Sequence, residues 1–187
     1  MTRFRLTRFR ILALAGVLVI ALAGVTVAVV RAQEFSRHTS PPAKASGVIG
    51  GDHITIDYYA PSMHGRKIMG GLVPYGEVWC TGANWATKIT TANDLDVNGL
   101  KLPKGSYSIW TLPGEKEWKL IINKQTGQFH LDYDESQDFA RVAMNLKKLS
   151  SPVETFRIEV ASEGGNKGTL HLIWENTDAW VPVTVLR

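Results

Sequence analysis

The sequence predicts a mostly β protein, a single antiparallel β-sandwich or barrel-like domain preceded by an N-terminal hydrophobic helix. Two observations predict the domain: apolar and polar residues alternate with a period of two over most of the chain, and turn residues recur about every 8–12 residues. A basic and then apolar start predicts the helix. A length of 187 residues allows one domain with additional segments.

The first 32 residues are predicted to be a signal or membrane-anchor segment. Residues 11–30 are almost entirely apolar, and a helix of twenty residues spans about 30 Å, the thickness of the hydrocarbon core of a bilayer. The four arginines before them favour a cytoplasmic N-terminus. We therefore expect a cell-envelope protein whose C-terminal domain lies outside the cytoplasm.

Cleavage of this segment would release the domain. The apolar part of a signal peptide usually has about 7–15 residues and ends at a small-x-small site. Here the apolar part is longer, and the best candidate site, Val30-Arg31-Ala32, contains an arginine. The sequence favours an uncleaved single-pass anchor over secretion after cleavage near Ala32.

The positive charge of the chain is concentrated in the same segment. Residues 1–32 hold five of the 21 Lys and Arg residues and no acid, which leaves 16 basic and 17 acidic residues in the remainder. A nucleic-acid-binding domain needs a basic face on its folded part. The expected partners are a membrane, through residues 11–30, and a small polar or glycan ligand, but no nucleic acid.

Residues 33–46 are predicted to be a flexible tether because they are rich in Ser, Thr and Pro and show no apolar periodicity. Residues 47–187 are predicted to be the β-rich domain. The dipeptide Asn98-Gly99 and the glycine-rich residues 164–168 predict hairpin turns between its strands. The tryptophans expected in its core are Trp110, Trp118 and Trp174.

Residues 138–149 fit two patterns. They form an apolar face if helical, but they also alternate as a strand would. We choose a short helical turn near Glu135–Phe139 followed by a strand, because the neighbouring segments are strands.

No catalytic residue, metal site or cofactor is predicted. The five histidines stand at no recognised metal-ligand spacing, and His171 is expected to face solvent. Cys80, the only cysteine, lies in an apolar run that predicts a buried, inert thiol. If the protein is instead an extracytoplasmic hydrolase, its best residues are His53, His64 or His130 with Asp138 and Arg141.

The segment from Met63 to Thr91 carries the predicted ligand site. It combines aromatic rings, hydroxyls, an amide and a guanidinium, a mixture that can stack on and hydrogen-bond a sugar or another small polar ligand. A purely structural role fits too: Arg66 would pair with a carboxylate, Trp79 would fill the core, and Asn84 would adopt a left-handed turn conformation. The residues predicted to bind are Arg66, Trp79, Thr81, Asn84 and Thr87.

A string of motifs in the same region matches a known pattern. The motifs include Gly65-Arg66-Lys67-Ile68, Gly71-Leu72-Val73-Pro74-Tyr75-Gly76-Glu77-Val78-Trp79 and Thr81-Gly82-Ala83-Asn84-x-Ala86-Thr87, with Pro103-x-Gly105-x-Tyr107-Ser108 further on. Over residues 40–187 the chain resembles an uncharacterised bacterial exported family, the domain of unknown function 2911. The resemblance implies an exported, β-rich single domain and no particular activity.

The chain departs from that family's pattern at two places. The residue after Trp79 is commonly arginine in the family and is Cys80 here, which weakens any ligand role for that position. The Trp-Gly that usually follows Thr126-Gly127 is replaced by Gln128-Phe129-His130. We expect a binding module, with a hydrolase or a purely structural domain as alternatives.

Overall fold

The computed structural model describes residues 40–186, which form one antiparallel sheet of nine strands and contain no α-helix. The predicted N-terminal segment, residues 1–32, and tether residues 33–39 lie outside the described residues. No helix between residues 40 and 186 is long and apolar enough to cross a membrane. The strands are β1 (Pro42–Ile49), β2 (Asp52–Tyr59), β3 (Thr87–Thr91), β4 (Leu95–Val97), β5 (Leu100–Leu102), β6 (Gly105–Leu112), β7 (Trp118–Asn123), β8 (Asp138–Gly164) and β9 (Lys167–Val185).

The sheet has the strand order β1-β2-β3-β6-β7-β8-β9-β4-β5. The mostly β, antiparallel prediction is confirmed, but the sheet does not close into a barrel, because β1 and β5 are its edges and do not pair. Instead the sheet curves until β1 lies against β8. At this approach a Cβ added to Gly47 would lie 2.6 Å from the carbonyl oxygen of Val160.

Alternate residues of the strands meet in one hydrophobic core, as the period-two pattern predicts. Ile54, Ile56 and Tyr58, for example, are all buried. Trp110, Trp118 and Trp174 are at most 3% exposed, which confirms their predicted burial. Trp110 belongs to a second, smaller cluster with Cys80, Ala86 and Ile121 on the other face of the sheet.

The predicted tether is wrong for residues 42–46, which lie in β1. This strand pairs with β2 along its whole length, from Pro42 opposite Tyr59 to Ile49 opposite Asp52. Only Ala45 and Ile49 of β1 are buried. Burial alternates along the strand, but three of its four more buried residues are Ala or Gly, and Pro42 and Ser46 resemble a linker.

The predicted turns are confirmed. Asn98-Gly99 joins β4 to β5, and β8 turns into β9 between Gly164 and Lys167. A 3-10 turn at Glu135–Gln137 directly precedes β8, which confirms the choice of a helical turn followed by a strand.

Strand β9 reverses its direction near Glu175. Along a straight strand His171 and Asp178 would lie about 23 Å apart, at about 3.3 Å per residue. Their side chains are instead 2.9 Å apart. The backbone nitrogen of Val185 also donates to the carbonyl oxygen of Asn166 at 2.9 Å. Glu175 has a φ of 51°, a left-handed conformation that is uncommon for a residue with a side chain and suits a sharp reversal.

Candidate functional site

A groove of about 350 Å³ opens where β9 reverses. One wall is the loop that follows β2, and the other is the region where the pairing of β8 with β9 is interrupted after Lys148. Its volume lies at the lower end of the range for small-ligand sites. The charged and aromatic side chains that line it are Lys67, Tyr75, Glu115, Trp118, Lys147, Lys148 and Glu175.

Glu175 positions the loop that forms one wall. One of its carboxylate oxygens accepts a hydrogen bond from the backbone nitrogen of Ile68 at 3.1 Å, and the other accepts from that of Met69 at 3.0 Å. Both residues are buried, so their amides need protein partners. The carboxylate therefore fixes the wall of the groove.

Tyr75 and Trp118 supply the aromatic surface of the groove. The ring of Tyr75 lies so close to Gly70 that an added Cβ there would be 2.6 Å from Cε2, and Gly70 also has a left-handed φ of 72°. Only glycine fits this position without strain. Tyr75 is 40% exposed, whereas Trp118 is buried, so Tyr75 presents the accessible ring.

The charge of the rim is mainly positive. None of Lys67, Lys147 and Lys148 forms an ion pair within residues 40–186. Glu115 is the exposed acid beside them. Ammonium groups at an aromatic groove favour an anionic ligand that also has an apolar or sugar face. The sequence pattern identified the aromatic loop but not Lys147 and Lys148, because the position of these lysines opposite the loop depends on the sheet topology.

A larger open concavity, of about 750 Å³, is lined by Gly50, Gly51, Gly165, Asn166, Val185 and Leu186. These residues carry neither charge nor an aromatic ring. Of these two concavities, only the smaller is lined by charged and aromatic side chains.

Three of the predicted ligand residues come together, two of them in the interior and the third, Trp79, partly buried against the core. Thr81 and Thr87 are 0% exposed, and the hydroxyl of Thr87 donates to the carbonyl oxygen of Thr81 at 2.7 Å. Trp79 Nε1 donates to the carbonyl oxygen of Gly82 at 3.1 Å, and its ring stacks on that of Trp174 with centroids 5.7 Å apart. These contacts hold Thr81, which has a φ of 55°, an unusual value for a β-branched residue.

The other two predicted residues point elsewhere. Asn84 has a left-handed φ of 59°, as the structural interpretation expects, and its Nδ2 donates to the carbonyl oxygen of Ser40 at 3.1 Å. Arg66 bonds to the carbonyl oxygens of Met63 and Ser62, at 2.9 and 2.7 Å, and to no carboxylate within residues 40–186. A ligand role for the five residues stays a prediction.

The residues proposed for a hydrolase do not form one cluster. Among residues 40–186, no hydrogen bond or ion pair joins His53, His64 or His130 to Asp138 or Arg141. Asp138 and Arg141 instead bond to each other at 2.8 Å, with Tyr133 and Glu135 as further partners.

This network shifts the protonation of its members. Burial, reinforced by the hydrogen bond to Asp138, raises the pKa of Tyr133. The hydrogen bond to Asp138 raises the pKa of Arg141. Both shifts favour the protonated forms that these groups already have near neutral pH, and the contacts link Tyr133, Glu135, Asp138 and Arg141 around the turn before β8.

His171 does not simply face solvent as expected. Its Nδ1 lies 2.9 Å from Asp178 Oδ1, and its Nε2 lies 3.0 Å from Thr169 Oγ1. The order carboxylate, imidazole and hydroxyl is that of a nucleophile triad. Thr169 is only 5% exposed, however, so its hydroxyl is closed to a substrate. The contact between His171 and Asp178 joins the two halves of β9. The sequence pattern did not predict it, because the prediction assumed a straight strand.

Cys80 is buried, and burial raises the pKa of its thiol from the ordinary 9.0 to about 12. The burial of Cys80 and the raised pKa of its thiol therefore support the prediction of an inert thiol. Within residues 40–186, no group of three or more His, Cys, Asp and Glu side chains is arranged to hold a metal ion.

Comparison with known proteins identifies a family and nothing finer. The family model described as protein of unknown function (DUF2911) matches residues 40–183. The match begins at Ser40, to which Asn84 donates a hydrogen bond, and ends within β9. No curated protein and no solved structure matches the chain. The chain therefore belongs to DUF2911, a family of proteins of unknown function.

Proposed function

We propose that the chain is a membrane-tethered module that binds an anionic polar ligand, such as an acidic glycan, outside the cytoplasm. The observation that carries the proposal is the groove at Glu175. Its rim presents three lysines that have no ion pair among the described residues, next to the exposed ring of Tyr75.

The rim can bind an anion at modest affinity. An ammonium group makes short, charge-assisted hydrogen bonds to carboxylate, phosphate or sulfate oxygens. Exposed ion pairs contribute only about 0.2–1 kcal/mol each and weaken with salt. Ring stacking on Tyr75 would add a comparable term. Such a site suits a repeated or abundant ligand better than a scarce one.

Preorganisation supports binding at this place. Both carboxylate oxygens of Glu175 hold the loop through backbone amides, and the loop bonds to itself through Val73 N to Ile68 O at 2.9 Å. A wall that is already ordered costs little conformational entropy when a ligand binds.

The same groove gives no support to hydrolysis. Its lining contains no histidine, cysteine or aspartate. The carboxylate of Glu175 has both oxygens engaged by backbone amides, which leaves Glu115 as the one acid of the lining without such bonds. The lining does contain the hydroxyls of Tyr75 and Thr177, but no hydrogen bond among the described residues joins either hydroxyl to Glu115 or Glu175, so neither is paired with a base.

The test is a glycan array probed with the full chain in lipid nanodiscs, with carboxylated, phosphorylated and neutral glycans. We expect binding to acidic glycans that falls as salt is raised, and none to the neutral ones. Lys147→Ala and Lys148→Ala should each weaken binding several-fold. Lys104→Ala, an exposed lysine outside the groove, is the matched control. Equal binding of acidic and neutral glycans, or no loss in the groove variants, would contradict the proposal.

A further inference from the structure

An exposed apolar patch lies apart from the groove residues. Trp85 is 48% exposed, Phe129 39% and Leu131 75%. The rings of Trp85 and Phe129 meet edge to face with centroids 5.8 Å apart. Clustered large apolar side chains at a surface mark an interaction site, whereas single ones do not.

The patch is held rigidly. Trp85 and Phe129 form an isolated antiparallel β-bridge, flanked by hydrogen bonds from Ala86 N to Gln128 O at 3.0 Å and from His130 N to Asn84 O at 2.9 Å. A further bond from Asp132 N to Phe129 O at 2.9 Å closes the turn that presents Leu131. The backbone therefore offers these side chains outward instead of allowing them to collapse inward.

The chain joins the domain beside this patch. Asn84, the residue before Trp85, bonds through Nδ2 to the carbonyl oxygen of Ser40 at 3.1 Å. The apolar segment of the sequence ends at Val30, ten residues before Ser40. Ten residues reach at most about 36 Å when fully extended. A bilayer that holds residues 11–30 is thus always within reach of the patch.

We infer that the patch of Trp85, Phe129 and Leu131 docks on the interfacial region of the membrane that anchors the chain. Tryptophan and other amphipathic aromatic residues favour the headgroup level of a bilayer. Tethering keeps the patch at a high effective concentration near that surface, so that even weak partitioning orients the domain. The inference rests on the proposed membrane anchoring.

The residues next to Phe129 and Leu131 in the chain include no lysine or arginine that would attract an anionic lipid. His130 and the exposed acid Asp132 flank Leu131, and no lysine or arginine lies in residues 125–134. Docking is therefore driven by apolar and aromatic contact and not by anionic headgroups. It should occur on phosphatidylcholine alone and change little with salt.

Orientation on the bilayer would expose the far end of the domain. Strand β1 leads from Pro42, beside the patch, to Ile49, and the seven steps between these residues span about 23 Å. The turn between β8 and β9 lies at that far end, since a Cβ on Gly50 would lie 3.0 Å from Cα of Asn166. A label at Glu163, next to that turn, therefore reports on the side away from the membrane.

The experiment uses the full chain in phosphatidylcholine proteoliposomes, with an environment-sensitive fluorophore on Leu131→Cys or on Glu163→Cys. The native thiol of Cys80 is buried, with its pKa raised to about 12, so it does not compete for the label. Spin-labelled lipids should quench the label at residue 131 several-fold more than the label at residue 163. Phe129→Ala should reduce that quenching, whereas Val48→Ala, an exposed apolar residue outside the groove at the far end of β1, should not.

Flotation of the same samples separates this inference from the anchoring on which it depends. If the chain floats with the vesicles but residues 131 and 163 are quenched equally, the docking inference is overturned while anchoring stands. If the chain does not float, anchoring itself fails, and the inference fails with it. A label at residue 131 that is shielded only when a protein partner is added would also overturn docking on lipid.

Discussion

A carboxylate oxygen of Glu175 accepts a hydrogen bond from the backbone nitrogen of Ile68 at 3.1 Å, although the two residues are 107 positions apart in the chain. The bond joins the reversal of β9 to the loop that follows β2. Both the groove and the conformation of Glu175 depend on it, because a left-handed residue costs about 1–2 kcal/mol that its contacts must offset.

Replacement of Glu175 by alanine should therefore loosen the groove. The buried amides of Ile68 and Met69 would lose their partners, at a cost of about 1–3 kcal/mol in the free energy of unfolding. Chemical denaturation measures the loss, and hydrogen exchange at the two amides localises it. Glu175→Gln keeps an acceptor oxygen and should lose less. Glu159→Gln, at an exposed ion pair, is the control. Unchanged exchange at Ile68 in Glu175→Ala would contradict the assignment.

Thr87→Val should destabilise the protein by about 1–3 kcal/mol, because it leaves the buried carbonyl of Thr81 without its donor. Thr87→Ser retains the hydroxyl and should lose less. Thr90→Val on the same strand removes an exposed hydroxyl and should change the free energy of unfolding by only a few tenths of a kcal/mol. Thermal unfolding of the three variants makes the comparison. If Thr87→Val is as stable as Thr90→Val, the hydroxyl does not hold the turn at Thr81.

Ala in place of Gly47 should be strongly disfavoured because of space and not because of backbone conformation. The added Cβ would lie 2.6 Å from the carbonyl oxygen of Val160 and 2.7 Å from its Cγ1. Overpacking of this kind costs about 1–3 kcal/mol. Ser46→Ala, at an exposed position on the same strand, is the matched control for the denaturation midpoint. Equal midpoints would show that β1 is free to move away from β8.

Cys80 predicts a pH dependence of stability. Its pKa is about 12 in the folded protein and near the ordinary 9.0 when unfolded, because burial disfavours the thiolate. The unfolded chain therefore loses its thiol proton first as pH rises. The contribution of Cys80 is fully present below about pH 9 and is lost progressively between about pH 9 and 12.

Comparison of the wild type with Cys80→Ala tests this dependence. The alanine variant should lose less stability between neutral pH and pH 10 in urea denaturation. The native thiol should also react with a thiol reagent orders of magnitude more slowly than the unfolded thiol at the same pH. Rapid modification of the folded protein at pH 8 would show that the thiol is accessible.

Local chemistry predicted much of the fold. The alternation at Ile54 and Ile56 identified an inward face, and Asn98-Gly99 identified a hairpin. Both signals could be recognised because they depend only on residues that are close together in the sequence. Strand β1 was missed since only two of its residues are buried. The reversal at Glu175 was missed because a glutamate supplies the left-handed residue that glycine usually provides.

The candidate site was less accessible to sequence reasoning. Lys67 and Lys148 lie 81 residues apart and line one groove only because the sheet brings β8 towards the loop after β2. Thr81 and Thr87 were chosen for their hydroxyls, which the fold uses internally. Residue type shows that a side chain can form hydrogen bonds, but only the topology decides whether that side chain bonds to a ligand or to the protein itself.

The position of β9 in the sheet has a consequence for folding during synthesis. This last strand lies between β8 and β4, and residues near its end pair with β4, as Val183 does with Val97. The sheet can be completed only after Val185, which pairs with Leu95 of β4, has been synthesised. A nascent chain that stops before this residue would keep β4 and β5 without their pairing to β9, and the apolar residues of these strands would stay uncovered.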